Sequence, residues 1–399
     1  MEPPWPNLLQ NLTLLDIFVI LALSFVVDLV WGLIFRASVV ACSRARPQKS
    51  EGEHDGPPIS VIIPCHNSED VIDRTLKSIM SSGYPNLELI VVDDASTNGT
   101  YNKVASYRQR VTLLHKSKSG RRKTEAVNFG IPYASSEIIV VIDDDTEVAP
   151  GAFQELLRPL RDERVAAAGG NVKVRTYKGN LLTKLQDVEY MVSMELGRSF
   201  QTAFYGGAIV ISGCFGAFRR GILKKIGQYD PDTITEDLDL TWKIYRLLGK
   251  VAYSPNAVCY TETPRTLRAL LRQRTRWDRG LLETLAKHRG IIFDPKIGRV
   301  KMLILDTLIF EFALLFARPL WVVGAASLLY PPLAVVALVV GFYIGLEAFT
   351  VMVAGLLSSD KRNALKMTYA PLMFIYRQLL GLIRIRATIL YLLGSKSVW

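Results

Sequence analysis

The chain has 399 residues, 49% of them apolar and 21% charged, which exceeds one ordinary domain and fits a soluble domain combined with membrane segments. Its formal charge is +11. Because long apolar runs supply a membrane, whose anionic surface attracts Lys and Arg, the excess is assigned to lipid and no nucleic-acid partner is expected. Cys42, Cys65, Cys214 and Cys259 stand far apart with no C-x-x-C pair, which argues against a disulfide framework and structural zinc and for a reducing compartment.

In chain order, residues 1–13 are expected on the extracytoplasmic side, and 14–35 form a mostly apolar stretch close to the roughly 20 residues that cross a bilayer. Arg36, Arg44, Arg46 and Lys49 follow, and no Lys or Arg precedes it. The positive-inside bias therefore puts residue 1 outside and the chain after Arg36 in the cytoplasm. With no small-residue cleavage site, the segment reads as an anchor rather than a signal peptide. Residues 36–57 read as a linker. Short β-branched runs at 59–64, 87–92, 111–114 and 138–142 then alternate with helical patterns such as 69–82, which predicts a mostly parallel α/β sheet of the nucleotide-binding kind over 58–263. Residues 264–299 are basic and amphipathic and are expected along the membrane surface. Apolar segments at 300–329 and 333–357 read as further spans, and 368–393, which carries Arg377, Arg384 and Arg386, as either a span or an interface helix.

The strongest local feature is the strand 138–142 ending in Asp143-Asp144-Asp145. Side chains alternate along a strand, so Asp143 and Asp145 are expected on one side and Asp144 on the other. Hard oxygen ligands at this spacing suit Mg²⁺ or Mn²⁺ carrying a diphosphate; the alternative is a solvated acidic turn. Asp93-Asp94 ends the strand 87–92 in the same way. Ligands of open α/β sheets bind at that edge, so the two acidic ends define one pocket, unless Asp-Ala-Ser is an ordinary turn. Ser119-Gly-Arg121-Arg122-Lys123 brings cations to a glycine, in reach of phosphate or simply in solvent. No dinucleotide fingerprint and no P-loop is present, which argues against a dehydrogenase or P-loop NTPase.

Thr235-Glu236-Asp237 reads either as a helix start capped by Thr233 or Thr235, or as the source of a general base for a sugar hydroxyl. In Gln273-Arg274-Thr275-Arg276-Trp277, Arg274 or Arg276 is a candidate for a departing diphosphate, and Trp277 for a membrane interface or a sugar ring. Asp306, Glu311, Arg318 and Glu347 fall inside the apolar segments. Such charges must face protein or a polar path, so they either pair between helices or line a glycan route.

Taken in order, Asp93-Asp94, Asp143-Asp144-Asp145, Thr235-Glu236-Asp237 and Gln273-Arg274-Thr275-Arg276-Trp277 resemble the D, D-x-D, [ST/GE]-E-D and Q-x-x-R-W series of processive family 2 glycosyltransferases. The resemblance spans about 58–290, and the texture of Ser212-Gly213-Cys214-Phe215 is most similar to the hyaluronan, chitin-oligosaccharide and poly-N-acetylglucosamine synthases. It implies a GT-A domain between membrane helices, in the cell membrane with the catalytic part cytoplasmic, and an inverting transfer from a UDP-sugar, UDP-N-acetylglucosamine by texture, to a growing β-linked glycan. It further implies that Asp93, Asp94, Lys123 and Asp143 meet the nucleotide sugar, with Arg276 at its diphosphate; Arg274 stays a candidate there from its charge alone. Asp145, with Asp143, would hold the metal, and Asp237, beside Glu236, would be the catalytic base. Gly213, Cys214, Gln273 and Trp277 would meet the acceptor. The pattern departs from the family at Arg121-Arg122-Lys123, which leaves open which cation meets the nucleotide. The short C-terminal membrane part leaves open whether a homo-oligomer or accessory subunit completes a channel. Two other readings compete: a non-processive transferase that adds one sugar to a lipid-linked acceptor, and a non-catalytic membrane subunit or channel.

Overall fold

A computed structural model describes residues 26–45, 56–120, 122–175, 179–328 and 332–394. They belong to two compact units, 1–46 with 305–378, and 47–304 with 379–399.

The first unit is helical. Val27–Phe35, a helix of wide turns, runs directly into Arg36–Ala45, so part of the expected linker is helical. Residues 14–25 of the expected first span lie outside the described residues. Leu314–Leu328, with Pro319 inside it, and Pro332–Leu357 follow later in the chain. Among the described residues one helix, Leu333–Leu357, is long and apolar enough to cross a bilayer. Charges in the apolar segments pair between helices. Arg36 Nη2 donates to Asp306 at 2.8 Å, beside Trp31 Nε1 at 3.1 Å, and Arg377 pairs with Glu347. Arg318 Nε and Tyr343 Oη donate to Asp28 at 3.1 and 2.8 Å. Pairing of this kind lowers the cost of charge in apolar surroundings.

The second unit holds a sheet of order β3-β2-β1-β4-β7-β6-β8-β5. Its strands are β1 (Ile59–Cys65), β2 (Leu87–Asp93), β3 (Thr112–His115), β4 (Ile138–Ile142), β5 (Glu147–Val148), β6 (Val165–Val174), β7 (Phe215–Arg219) and β8 (Lys250–Thr261). β1 runs parallel to β2 and β4, β2 to β3, and β6 to β8, whereas β7 is antiparallel to β4 and β6 and β5 to β8. β1 and β4, rich in β-branched residues and free of charge, are buried throughout, as strands covered on both faces must be.

The later strands carry a weaker signature. β6 contains Gly169 and Gly170, and a Cβ at Gly170 would stand 2.3 Å from the Phe215 ring. β8 contains Pro255 and pairs with β6 through register shifts. Between the strands lie α1 (Ile72–Met80), α2 (Thr100–Ala105), α3 (Lys123–Gly130), α4 (Ala152–Leu157), α5 (Leu181–Met191), α6 (Arg220–Lys225), α7 (Glu236–Arg246) and the long α8 (Leu267–Lys287). In register, Cys65 lies opposite Asp93 and Asp93 opposite His115, so the C-terminal ends of the parallel strands form one edge, which Asp143 extends beyond β4.

Candidate active site

At the β2 end, Asp93 is fully buried, accepts from Ser96 N at 3.2 Å and pairs with His115 Nδ1 at 2.7 Å. Asp94 receives Lys116, Ser119 Oγ at 2.7 Å and Gly120 N at 3.2 Å. Burial pushes its carboxyl up, but these donors outweigh burial and hold it below the ordinary range. Both carboxylates therefore fasten the segment 115–120 to the sheet edge.

At the β4 end the three acids leave the strand and enter a turn closed by Thr146 N to Asp143 O at 3.1 Å. Their different directions thus arise from turn geometry rather than strand alternation. Asp143 pairs with Lys123, Asp144 accepts from Ser68, and Asp145 accepts from Thr261 Oγ1 at 3.2 Å and Thr146 Oγ1 at 3.4 Å. Burial, with repulsion from Asp143 and Asp144, pushes the Asp145 carboxyl up to about 6. A nearby cation would relieve that cost, so the residue fits a divalent metal. Among the described residues no three His, Cys, Asp or Glu side chains form a metal cluster.

Lys123, in the first turn of α3, joins this edge to α7. Its Nζ donates to Gly213 O at 2.7 Å as well as to Asp143, and the neighbouring acids Asp143 and Glu236 raise its pKa against the opposing effect of burial. Gly213 N in turn donates to Asp237 Oδ2 at 3.1 Å. A Cβ at Gly213 would lie 3.0 Å from Lys123 Nζ, so any side chain there would shift the ammonium by a few tenths of an ångström. Arg122 points elsewhere, to Pro231 O and to Thr233 O at 3.4 Å, and Arg121 lies outside the described residues. Lys123 is the described member of this basic run that pairs with Asp143.

α7 holds the loop before β7 from beneath. Trp242 Nε1 donates to Ile209 O at 3.1 Å, Tyr245 Oη to Ala208 O at 2.6 Å, and Ile211 N to Thr241 Oγ1 at 3.0 Å. Thr235 occupies the N-cap position, yet its hydroxyl makes no cap bond, and the Thr233 hydroxyl is also buried without a hydrogen-bond partner. The expected threonine cap is therefore absent, and the acids Glu236, Asp237 and Asp239 fill the first turn. Burial and repulsion from Asp237 raise the Glu236 carboxyl. Cys214 is buried, 3.2 Å from Ser212 Oγ, and lies behind Gly213.

α8 packs onto the start of α7. A Cβ at Gly280 would stand 2.3 Å from Thr235, and Arg276 Nη1 reaches Ile234 O at 3.4 Å. Arg274 is buried, pairs with Glu189 at 2.8 Å and lies 4.0 Å from the Trp277 ring centroid. Trp277 remains 36% exposed. Gln273 carries a buried amide oxygen with no hydrogen-bond partner. The sequence reading missed Lys116, His115 and Glu189, which hold Asp94, Asp93 and Arg274. Only the basic character of the 115–123 segment hinted at the first two.

The family profile described as Glycosyltransferase like family 2 matches residues 57–280, more than half the chain, and the chain belongs to that family. A poly-beta-1,6-N-acetyl-D-glucosamine synthase of Staphylococcus epidermidis is 32% identical over 256 residues, 63% of this chain and 60% of the relative. One from Staphylococcus aureus is 30% identical over 244 residues, 61% of this chain and 58% of the relative. The matches thus take in about three fifths of those relatives' length. Among solved structures, a mannosyltransferase from Pyrobaculum calidifontis in complex with GDP-Man and Mn²⁺ superposes with a TM-score of 0.65 at 20% identity, covering 95% of this chain and all of the other. The fold is GT-A-like, a curled, mostly parallel sheet among helices.

Proposed function

We propose that the chain is a processive, inverting glycosyltransferase that extends a β-linked polysaccharide from a UDP-sugar, with UDP-N-acetylglucosamine as donor. The observation that carries this reading is the junction at Gly213, where Lys123, Asp143 and Asp237 are tied through the main chain of one residue beside the α8 segment of Gln273, Arg276 and Trp277. The donor choice is supported by the relatives, which are named for a β-1,6-linked N-acetylglucosamine polymer.

In this reading the nucleoside lies along the edge of Asp93, Asp94 and Asp143, and Lys123 and Arg276 face the diphosphate. Arg274, occupied by Glu189, supports the Trp277 ring from below, while the exposed ring and the Gln273 side chain meet the acceptor end with Gly213, and Cys214, buried in the core, backs that loop without reaching the acceptor. A Mg²⁺ or Mn²⁺ ion held by Asp145, with Asp143, would supply positive charge to the leaving diphosphate. Asp237, oriented by Gly213 N and flanked by Glu236, takes the proton of the acceptor hydroxyl as that oxygen attacks the anomeric carbon. One displacement converts an α-linked donor into a β-linked product.

The domain layout belongs to the same proposal: spans at 14–35, 300–329 and 333–357, a last helix in or along the membrane at 368–393, and the 58–263 domain with its 264–299 interface segment on the cytoplasmic side. Membrane lipid and a homo-oligomer or accessory subunit are the partners it implies. Detergent-purified protein given one sugar nucleotide at a time with Mn²⁺ or Mg²⁺ tests it. UDP release from UDP-N-acetylglucosamine with a high-molecular-weight product is expected. A single-sugar adduct that needs added lipid would overturn processivity, and no transfer from any donor would overturn the enzyme reading.

A further inference from the structure

The last helix, Ala370–Leu392, carries arginines in an otherwise apolar run, and residues from 379 onward belong to the same unit as the sheet. Two of these arginines reach α8. Arg384 Nε donates to Asp278 Oδ1 at 2.9 Å, and Arg386 Nη1 donates to Thr275 Oγ1 at 3.3 Å. The Arg384 and Asp278 side chains are 24% and 11% exposed, so the ion pair is largely withdrawn from water and less screened than a surface pair. Thr275 and Asp278 are the immediate neighbours of Arg276 and Trp277.

At about 100° per residue, Leu270, Arg274, Trp277, Gly280 and Thr284 share one arc of α8, and Thr275 and Asp278 lie to the side of it. Gly280 meets Thr235 and Arg274 meets Glu189 from that first arc, so the two contacts from the last helix grip α8 from a second direction. Arg276 and Lys287 hold one flank of α8, through Ile234 O and the carboxylates of Asp230, Asp232 and Asp239. The contacts from the last helix hold the opposite flank and so oppose a roll about the axis. A roll of roughly 20° swings a side chain some 5–6 Å from the axis by about 2 Å. Misplacement on that scale costs roughly 10²-fold in rate when it disturbs substrate alignment.

We infer that Arg384 is a positioning residue for the transfer reaction, its ion pair with Asp278 fixing the roll of α8 so that Arg276 faces the departing diphosphate and Trp277 the acceptor end. The inference rests on the function proposed above. Arg384 touches neither donor nor acceptor in this scheme, so its removal affects turnover and product length rather than donor affinity.

The test uses the full chain in detergent with UDP-N-acetylglucosamine, comparing wild type, Arg384→Glu, Asp278→Arg and the exchanged pair. Each single reversal is expected to lower kcat by roughly ten- to hundredfold and shorten the polymer, with KM for the sugar nucleotide changed by less than about twofold. The exchanged pair is expected to recover a large part of both kcat and product length, because the ion pair is restored with opposite polarity. Singles with wild-type kcat and product length overturn the inference, as does an exchanged pair no better than the singles. Should charge reversal unfold the protein, Arg384→Gln with a melting temperature near wild type decides: a reduced kcat at unchanged KM supports positioning, and wild-type turnover overturns it. An inactive wild type would instead overturn the proposed function, which separates that failure from an active wild type with indifferent variants.

Discussion

The two acidic strand ends look alike in sequence and differ in structure. At β2, Asp93 and Asp94 are met by His115, Lys116, Ser119 and Gly120, and the carboxylates serve to shape a loop. At β4, Asp145 has two threonine hydroxyls at 3.2 and 3.4 Å and a carboxyl raised to about 6, while Asp143 shares Lys123 with the Gly213 carbonyl. A carboxylate supplied with cations and amides within the protein builds the wall of a site. One held at a cost, with neighbours of its own sign, awaits a cation from outside.

Substitutions should separate the two ends by size of effect. Asp237→Asn, on the β4 side of the junction, is expected to reduce UDP release by about 10³-fold with the melting temperature nearly unchanged, since a general base contributes roughly 10²–10⁴-fold. Asp145→Asn should cost on the order of 10²-fold in kcat and weaken Mn²⁺ binding in calorimetry of the protein with nucleotide, because the lost group stabilises several kcal/mol of charge through the ion. Unchanged Mn²⁺ affinity would remove the distinction between the ends.

Asp94→Asn should act more mildly, raising the donor KM by roughly tenfold with little change in kcat, as expected when charge-assisted hydrogen bonds that order a binding loop are weakened. The smallest effect is in pH. The Asp94 carboxyl lies below its ordinary value, so its contribution to stability is complete above about pH 4, the unfolded value, and disappears as pH falls through the folded one. The melting-temperature gap between wild type and Asp94→Asn should therefore be constant near neutrality and close in acid.

How far the sequence could be read follows the same contrast between local and distant causes. The runs at 59–64, 87–92, 111–114 and 138–142 correspond to β1 to β4, because short apolar runs rich in β-branched residues favour strands, β1 and β4 being buried throughout and β3 at the partly exposed edge. β6, β7 and β8 gave no such signal: Gly169, Gly170 and Gly216 serve close packing, and Pro255 falls where β8 slips its register against β6. The candidate residues were named by motif, but their partners were not, since Lys123 with Gly213 or Arg274 with Glu189 joins positions about 90 residues apart. Charge alone raised Arg274 and Arg276 together, although only Arg276 fills the arginine of Q-x-x-R-W. Burial separates them, one under an indole and the other exposed.

The link between Asp237 and Lys123 runs through the main chain of Gly213, whose N–H serves the acid and whose carbonyl serves the ammonium. No substitution at position 213 other than proline can delete either group. Replacement there changes spacing instead, since the added carbon would press on the ammonium at 3.0 Å while meeting the Asp237 side chain at an ordinary 3.5 Å. Position 213 is in that sense a ruler rather than a reagent, and a graded series of small side chains would measure how much separation between acid and cation the site tolerates.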